Sequence, residues 1–125
     1  MNKIQIFLLV FLLLLISNSG CNLIDPLTRA QNLIQKGKYP EALKILESEH
    51  KLKPSSVPIS TILAQTYSDY GIILCEDQNK PPKIKYPMAK EQFAMALTLN
   101  PNLTDAKDMY EMIEKIQTSY IGKSD

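Results

Sequence analysis

The amino-acid sequence predicts an all-α protein: two helical hairpins in series and a closing single helix, behind an N-terminal signal helix. Apolar residues in the body of the chain recur at steps of three and four, the period of a helix with one covered face. Two segments, "KYPEALKILESEHKLKP" at 38–54 and "KYPMAKEQFAMALTLNP" at 85–101, align without gaps at an interval of 47 residues. The alignment matches Lys38 with Lys85, Tyr39 with Tyr86, Pro40 with Pro87, Ala42 with Ala89, Leu52 with Leu99 and Pro54 with Pro101. A fixed interval of that size marks a helical solenoid. The chain has only four glycines and few β-branched runs, which argues against an all-β fold.

The first element is an export leader, residues 1–20. Lys3 precedes an apolar run from Ile4 to Ile16, broken only by Gln5. As a helix this run would span roughly 20 Å, short of a hydrocarbon core of about 30 Å. A basic start, an apolar middle and small residues after it are the layout of a secretory signal. The leader closes in "SNSGC", which resembles the bacterial lipoprotein signal, or lipobox. In that family small residues precede a cysteine that is lipidated and becomes the first residue of the mature protein. Ser19, Gly20 and Cys21 match, while Asn18 stands where the family prefers an aliphatic residue. The resemblance implies cleavage between Gly20 and Cys21 and a covalent lipid on Cys21, with no other cofactor. Ordinary signal cleavage within "SNSG" and an uncleaved anchor are the alternatives.

Cys75 is the only other cysteine. With Cys21 acylated it is a lone thiol, read as a small apolar residue at a helix end; a Cys21–Cys75 bridge stays open. Residues 21–125 suffice for one domain. Without Lys3 the basic and acidic side chains are equal in number, so nothing suggests nucleic acid or a polybasic membrane patch.

After a tether at 21–24, Asp25-Pro26 reads as a helix start, with Asp as N-cap and Pro at the first helical position. Leu27, Ala30, Leu33 and Ile34 follow at helical spacing, and Gly37 stops the helix. Tyr39-Pro40 opens a second helix with Ala42, Leu43, Ile45, Leu46 and Leu52 apolar, closed by Pro54. Ser55, Ser56 and Pro58 open a third, whose stripe runs Ile59, Ile62, Leu63, Thr66, Tyr67, Tyr70, Ile73, Leu74. The stretch "EDQNKPPKIK" at 76–85 reads as a loop. Tyr86-Pro87 opens a fourth helix, with Ala89, Phe93, Ala96, Leu97 and Leu99 before Pro101. Thr104 caps a fifth, with Ala106, Met109, Tyr110, Ile113, Ile116 and Tyr120 on one face. The tail is 121–125.

These residues resemble the tetratricopeptide repeat, a pair of antiparallel helices in a unit of about 34 residues. In the first unit, about 24–56, Gly37, Tyr39, Ala42, Leu46 and Pro54 fall at the family's spacings, with Ala30 and Leu33 in the leading helix. In the second, about 57–103, Leu63, Ala64 and Tyr67 match the leading helix and Ala89, Phe93, Ala96 and Pro101 the trailing one. Small residues let helix axes approach to about 8–10 Å, and large ones fill the grooves between. Glu49 departs where a second small residue is usual, and Ile84 replaces the turn glycine. The 47-residue interval exceeds the family's unit by 13, assigned to a longer third helix and the 76–85 loop. The fifth helix, about 104–120, has Glu111 and Glu114 where packing residues belong. Polar replacement suits a capping helix with one face in solvent.

Little points to catalysis. His50 is the only histidine, so a metal site built on histidines lacks partners. It lies among Glu47, Glu49 and Lys51, a surface setting. Glu76-Asp77 lacks the ligand spacing of a calcium loop, and no glycine-rich phosphate cradle appears. The expectation is a protein that is not an enzyme.

The resemblance implies a binding groove along the leading helices, lined by Leu27, Gln31, Ile34 and Gln35 and by Thr61, Gln65, Ser68 and Asp69. The cationic clamp that some family members use for a terminal carboxylate is missing, because Leu27 and Ile62 stand at two of its positions. A neutral peptide segment fits such a surface. Two units and a cap fall short of the three or more that such arrays need, so self-association as a homodimer, or stabilisation by a partner, is expected. The expected protein is a lipoprotein of the bacterial envelope, membrane-held through its lipid, that scaffolds another envelope protein. Asn22 after the cysteine leaves inner or outer membrane open. The alternatives are an accessory to solute uptake, with a small-ligand pocket beside Tyr67 and Tyr70, and a self-associating structural protein.

Overall fold

The structure, a computed structural model, describes residues 24–121, with side chains as far as Ser119. The leader, the Gly20–Cys21 cleavage site, the tether before Ile24, the side chain of Tyr120 and the tail after Ile121 lie outside the described residues. Those described are all-helical. Five helices follow in order: α1 (Pro26–Gln35), α2 (Tyr39–Leu52), α3 (Val57–Glu76), α4 (Pro82–Leu99) and α5 (Thr104–Ile121). Each packs broadly on the next, and α5 also touches α3.

Local chemistry sets the first boundaries. The Asp25 side chain accepts a hydrogen bond from the Thr28 backbone N–H at 3.3 Å, and Pro26 follows at the first helical position. At the other end of α1, Gly37 takes φ +70°. The N–H groups of Gly37 and Lys38 donate to the carbonyls of Ile34 and Leu33, the paired bonds of a Schellman stop. Helices α2 and α3 begin with Pro40 and Pro58 in their first turn, as expected.

The fourth helix begins earlier than the sequence suggests. Only Asp77–Pro81 separate α3 from α4, so Pro82–Lys85 is helical and Pro87 lies inside the helix. Pro82 loses no hydrogen bond at the first helical position, and the Pro81 carbonyl accepts from the N–H groups of Ile84 and Lys85. Pro87 forfeits one bond in the next turn, while Tyr86 beside it packs against the core. Residues 76–85, expected as a loop, thus supply the end of α3 and an extra helical turn at the start of α4. Thr104 is the first residue of α5 rather than its cap; the turn before it is held by Asn100, whose side chain accepts from the Asn102 N–H at 3.1 Å.

The core runs through all five helices. Ala30, Ala42, Leu46, Leu63, Ala64, Tyr67, Ala89, Phe93 and Ala96 are all buried, as are Ala106 and Ile113 in α5. Phe93 is the largest fully enclosed side chain. Its ring lies against the backbone of Gly71, where an added Cβ would sit 2.7 Å from Phe93 Cε1. Tyr39 stacks on Tyr70 across α2 and α3, with ring centroids 5.8 Å apart. Pro54 and Pro101 are exposed in the turns that follow α2 and α4, so they direct the chain rather than pack. Leu52, expected on a covered face, is 71% exposed at the last residue of α2, where the chain turns away. Ile73 is likewise exposed.

Candidate functional site

The expected groove residues are only partly brought together. Gln31 and Gln35 on α1 and Thr61 and Gln65 on α3 are exposed. Leu27 and Ile34 lie half-buried against the core. Gln65 donates to Asp69 at 2.8 Å and Thr61 to the Val57 carbonyl at 2.8 Å, so their polar atoms are engaged within α3. Ser68 does not line an open face: it is fully buried, and its hydroxyl has no partner among the described residues. Residues at i and i+3 share a helix face, and α3 carries Ser68 on the side that also bears Gly71.

A different groove is open on the surface. It lies between the start of α4 and the end of α5, has a volume of about 710 Å³, and is lined by Pro81, Pro82, Lys83, Tyr86, Pro87, Ile116 and Gln117. Prolines hold this wall rigidly because their φ is fixed. Ring faces of Pro and Tyr with the Ile116 side chain make it mostly apolar. Lys83 supplies the one charge in the lining.

Behind it the loop is braced. Lys85, only 8% exposed, donates from Nζ to the Asp77 carbonyl at 3.2 Å and lies 5.6 Å from the Tyr86 ring centroid. The Asp77 carboxylate accepts from the Asn79 N–H at 2.8 Å and pairs with Lys80 at 2.5 Å. The Lys80 hydrogen bond comes first among the causes that hold the Asp77 carboxyl below its ordinary range, with the Asn79 N–H second. Across α4 and α5, Lys90 pairs with Glu114 at 2.9 Å and sits over the Tyr110 ring at 4.8 Å. Glu111 and Glu114 are both exposed, as a helix with one solvent face requires.

Sequence reasoning missed this groove because it treated 76–85 as a loop. The double proline followed by Tyr-Pro was the available signal, since Pro at a first helical position starts a helix as readily as it ends one.

The remaining candidates for chemistry are occupied or isolated. Tyr67 donates from its hydroxyl to Glu47 at 2.5 Å, and burial, then that bond, pushes the phenol well above its ordinary value. Tyr70 is stacked on Tyr39, and neither Tyr67 nor Tyr70 lines a hollow described here. His50 is half-buried with Nδ1 enclosed and unpartnered among the described residues. Cys75 is half-buried near the end of α3, where burial raises its thiol pKa. No group of three His, Cys, Asp or Glu side chains suited to a metal occurs among the described residues. Nor is any described helix long and apolar enough to cross a membrane. No protein-family model, curated protein or solved structure matches this chain at a significant level.

Proposed function

We propose that this chain is a bacterial envelope lipoprotein, held to a membrane through acyl chains on Cys21, whose tetratricopeptide-like helices dock a partner protein. The open apolar groove between α4 and α5 carries the reading: five of its lining residues are Pro81, Pro82, Tyr86, Pro87 and Ile116. A rigid wall of proline and aromatic rings accepts a peptide segment with little ordering cost. The complete burial of Ala30, Ala42, Ala89 and Ala96 at the repeat family's small positions supports the repeat reading. The "SNSGC" ending supports the anchor, and two acyl chains suffice for lasting attachment.

The chain is proposed to act by binding, without catalysis. The small-ligand reading needed a pocket beside Tyr67 and Tyr70, and those side chains are engaged with Glu47 and Tyr39 instead. Partner docking is tested in cells with a photoreactive amino acid placed at Lys83, and separately at Gln65 for comparison. A discrete protein adduct at 83 that Tyr86→Ala diminishes is expected. Adducts at 65 alone would move the site to the leading helices, and none at either position would sink the scaffold reading. Mass analysis of the Cys21 peptide tests the anchor.

A further inference from the structure

Over residues 21–125 basic and acidic side chains are equal in number, yet they are unevenly placed along the chain. We infer that the outer face of the α1–α2 hairpin is a docking surface for an anionic lipid bilayer. The inference rests on the anchoring of Cys21 proposed above.

A hollow of about 780 Å³ opens on this hairpin, built from α1, α2 and the residues leading into them. Its apolar floor is Ile24, Pro26, Leu33 and Ile45, with Ile24 60% exposed. Arg29 and Lys44 stand at its edge with Glu41 and Glu49. The two acids are already matched within the hairpin, Glu41 by Lys38 at 3.8 Å and Glu49 by Lys53 at 3.7 Å. Neither Arg29 nor Lys44 has an acidic partner among the described residues. Over residues 24–56 the hairpin has six basic and four acidic side chains, whereas α5 has two basic and four acidic. The hairpin is therefore net positive, whereas α4 and α5 together, with five basic and five acidic side chains, are neutral.

Position completes the case. Cys21 is three residues before Ile24, and three residues reach about 10 Å at most. An acylated Cys21 holds this hollow within a headgroup layer's depth of the bilayer, inside the range where anionic lipid attracts Lys and Arg. A second copy could bring the exposed acids of α5 to Arg29 and Lys44, in a head-to-tail contact that would appear as protein–protein adducts at this hollow. The α4–α5 groove lies on other helices, against which neither α1 nor α2 packs broadly, so it takes no part in this surface.

The full chain is purified from bacterial membranes with a photoreactive amino acid at Ser48, which lines the hollow, or at exposed Thr118 on α5. It is reconstituted into vesicles of phosphatidylcholine with or without phosphatidylglycerol, and adducts and the Cys21 peptide are read by mass. Lipid adducts at 48 but not 118, enriched by the anionic lipid, are expected. Each basic side chain beside anionic lipid is worth about five-fold, so Arg29→Gln with Lys44→Gln should lower the docked-to-undocked ratio about 25-fold. Both residues are exposed, so unchanged helicity by circular dichroism is the folding control. Acylated Cys21 without lipid adducts at 48, adducts indifferent to lipid charge, or protein–protein adducts at 48 would each overturn the inference. A bare Cys21 removes the anchor reading alone if adducts at 48 persist, and both if they do not.

Discussion

Replacing Gly71 with alanine sets helix propensity against packing, and the structure says which wins. Gly71 lies within α3, and among described glycines only Gly37 has positive φ, so the backbone at 71 does not require glycine. On propensity alone, Ala in a helix interior gains about 1 kcal/mol over Gly. The new Cβ, however, would meet Phe93 Cε1 at 2.7 Å and Cζ at 2.8 Å. Carbon atoms rest at about 3.5–4.0 Å, so the ring must retreat by roughly 1 Å. Phe93 is fully enclosed, and that retreat displaces the core behind it. Overpacking of this kind costs about 1–3 kcal/mol. The net expectation for Gly71→Ala is a loss of about 1 kcal/mol, read from urea unfolding followed by circular dichroism. In a Phe93→Leu background the far edge of the ring is gone, and the same change should become neutral or stabilising. The two positions should couple by about 1–2 kcal/mol in the double-mutant cycle. Stabilisation of about 1 kcal/mol in both backgrounds, with no coupling, would mean the ring does not press on this backbone.

Phe93→Ala empties the largest enclosed site and should lose about 3–5 kcal/mol in the same unfolding assay. Gly37→Ala puts a Cβ at φ +70° with open space around it, so only backbone strain acts, about 1–2 kcal/mol; a neutral result would argue against the Schellman stop. Tyr67→Phe removes the bond to Glu47 and should cost about 1 kcal/mol at neutral pH. The folded state raises the Tyr67 pKa above its ordinary 10.0, so its proton is bound more tightly folded than unfolded. That contribution is complete below pH 10 and fades as pH rises toward the folded value; stability of the parent should therefore fall more steeply than that of Tyr67→Phe in alkaline unfolding series.

The fold places the two proposed surfaces at different ends of one rigid row. A tethered hairpin at one end and a proline-walled groove at the other would let the protein hold a partner at a fixed height from a membrane. Nothing in this arrangement requires the helices to move, since the interfaces between them are filled by enclosed side chains.

Boundaries governed by short-range chemistry were legible from residues alone. Asp25-Pro26 starts a helix and Gly37 stops one because caps and positive φ act within a single turn, and both stand as read. Ala30, Ala42, Ala89 and Ala96 were picked out by their match to the repeat's small positions, and all four are enclosed. Environment was not legible. Lys38 and Lys85 open the same Lys-Tyr-Pro triplet, yet Lys38 is exposed and Lys85 is buried on the Asp77 carbonyl. Pro40 sits in the first turn of α2, whereas Pro87 lies a full turn inside α4. Ser68 looked like a surface hydroxyl and is enclosed. Which face of a helix is covered, and whether burial can offset a lost hydrogen bond, depends on neighbours distant in the chain. The groove between Pro82 and Ile116 belongs to that second kind of information, because its walls meet only when α5 folds back along α4.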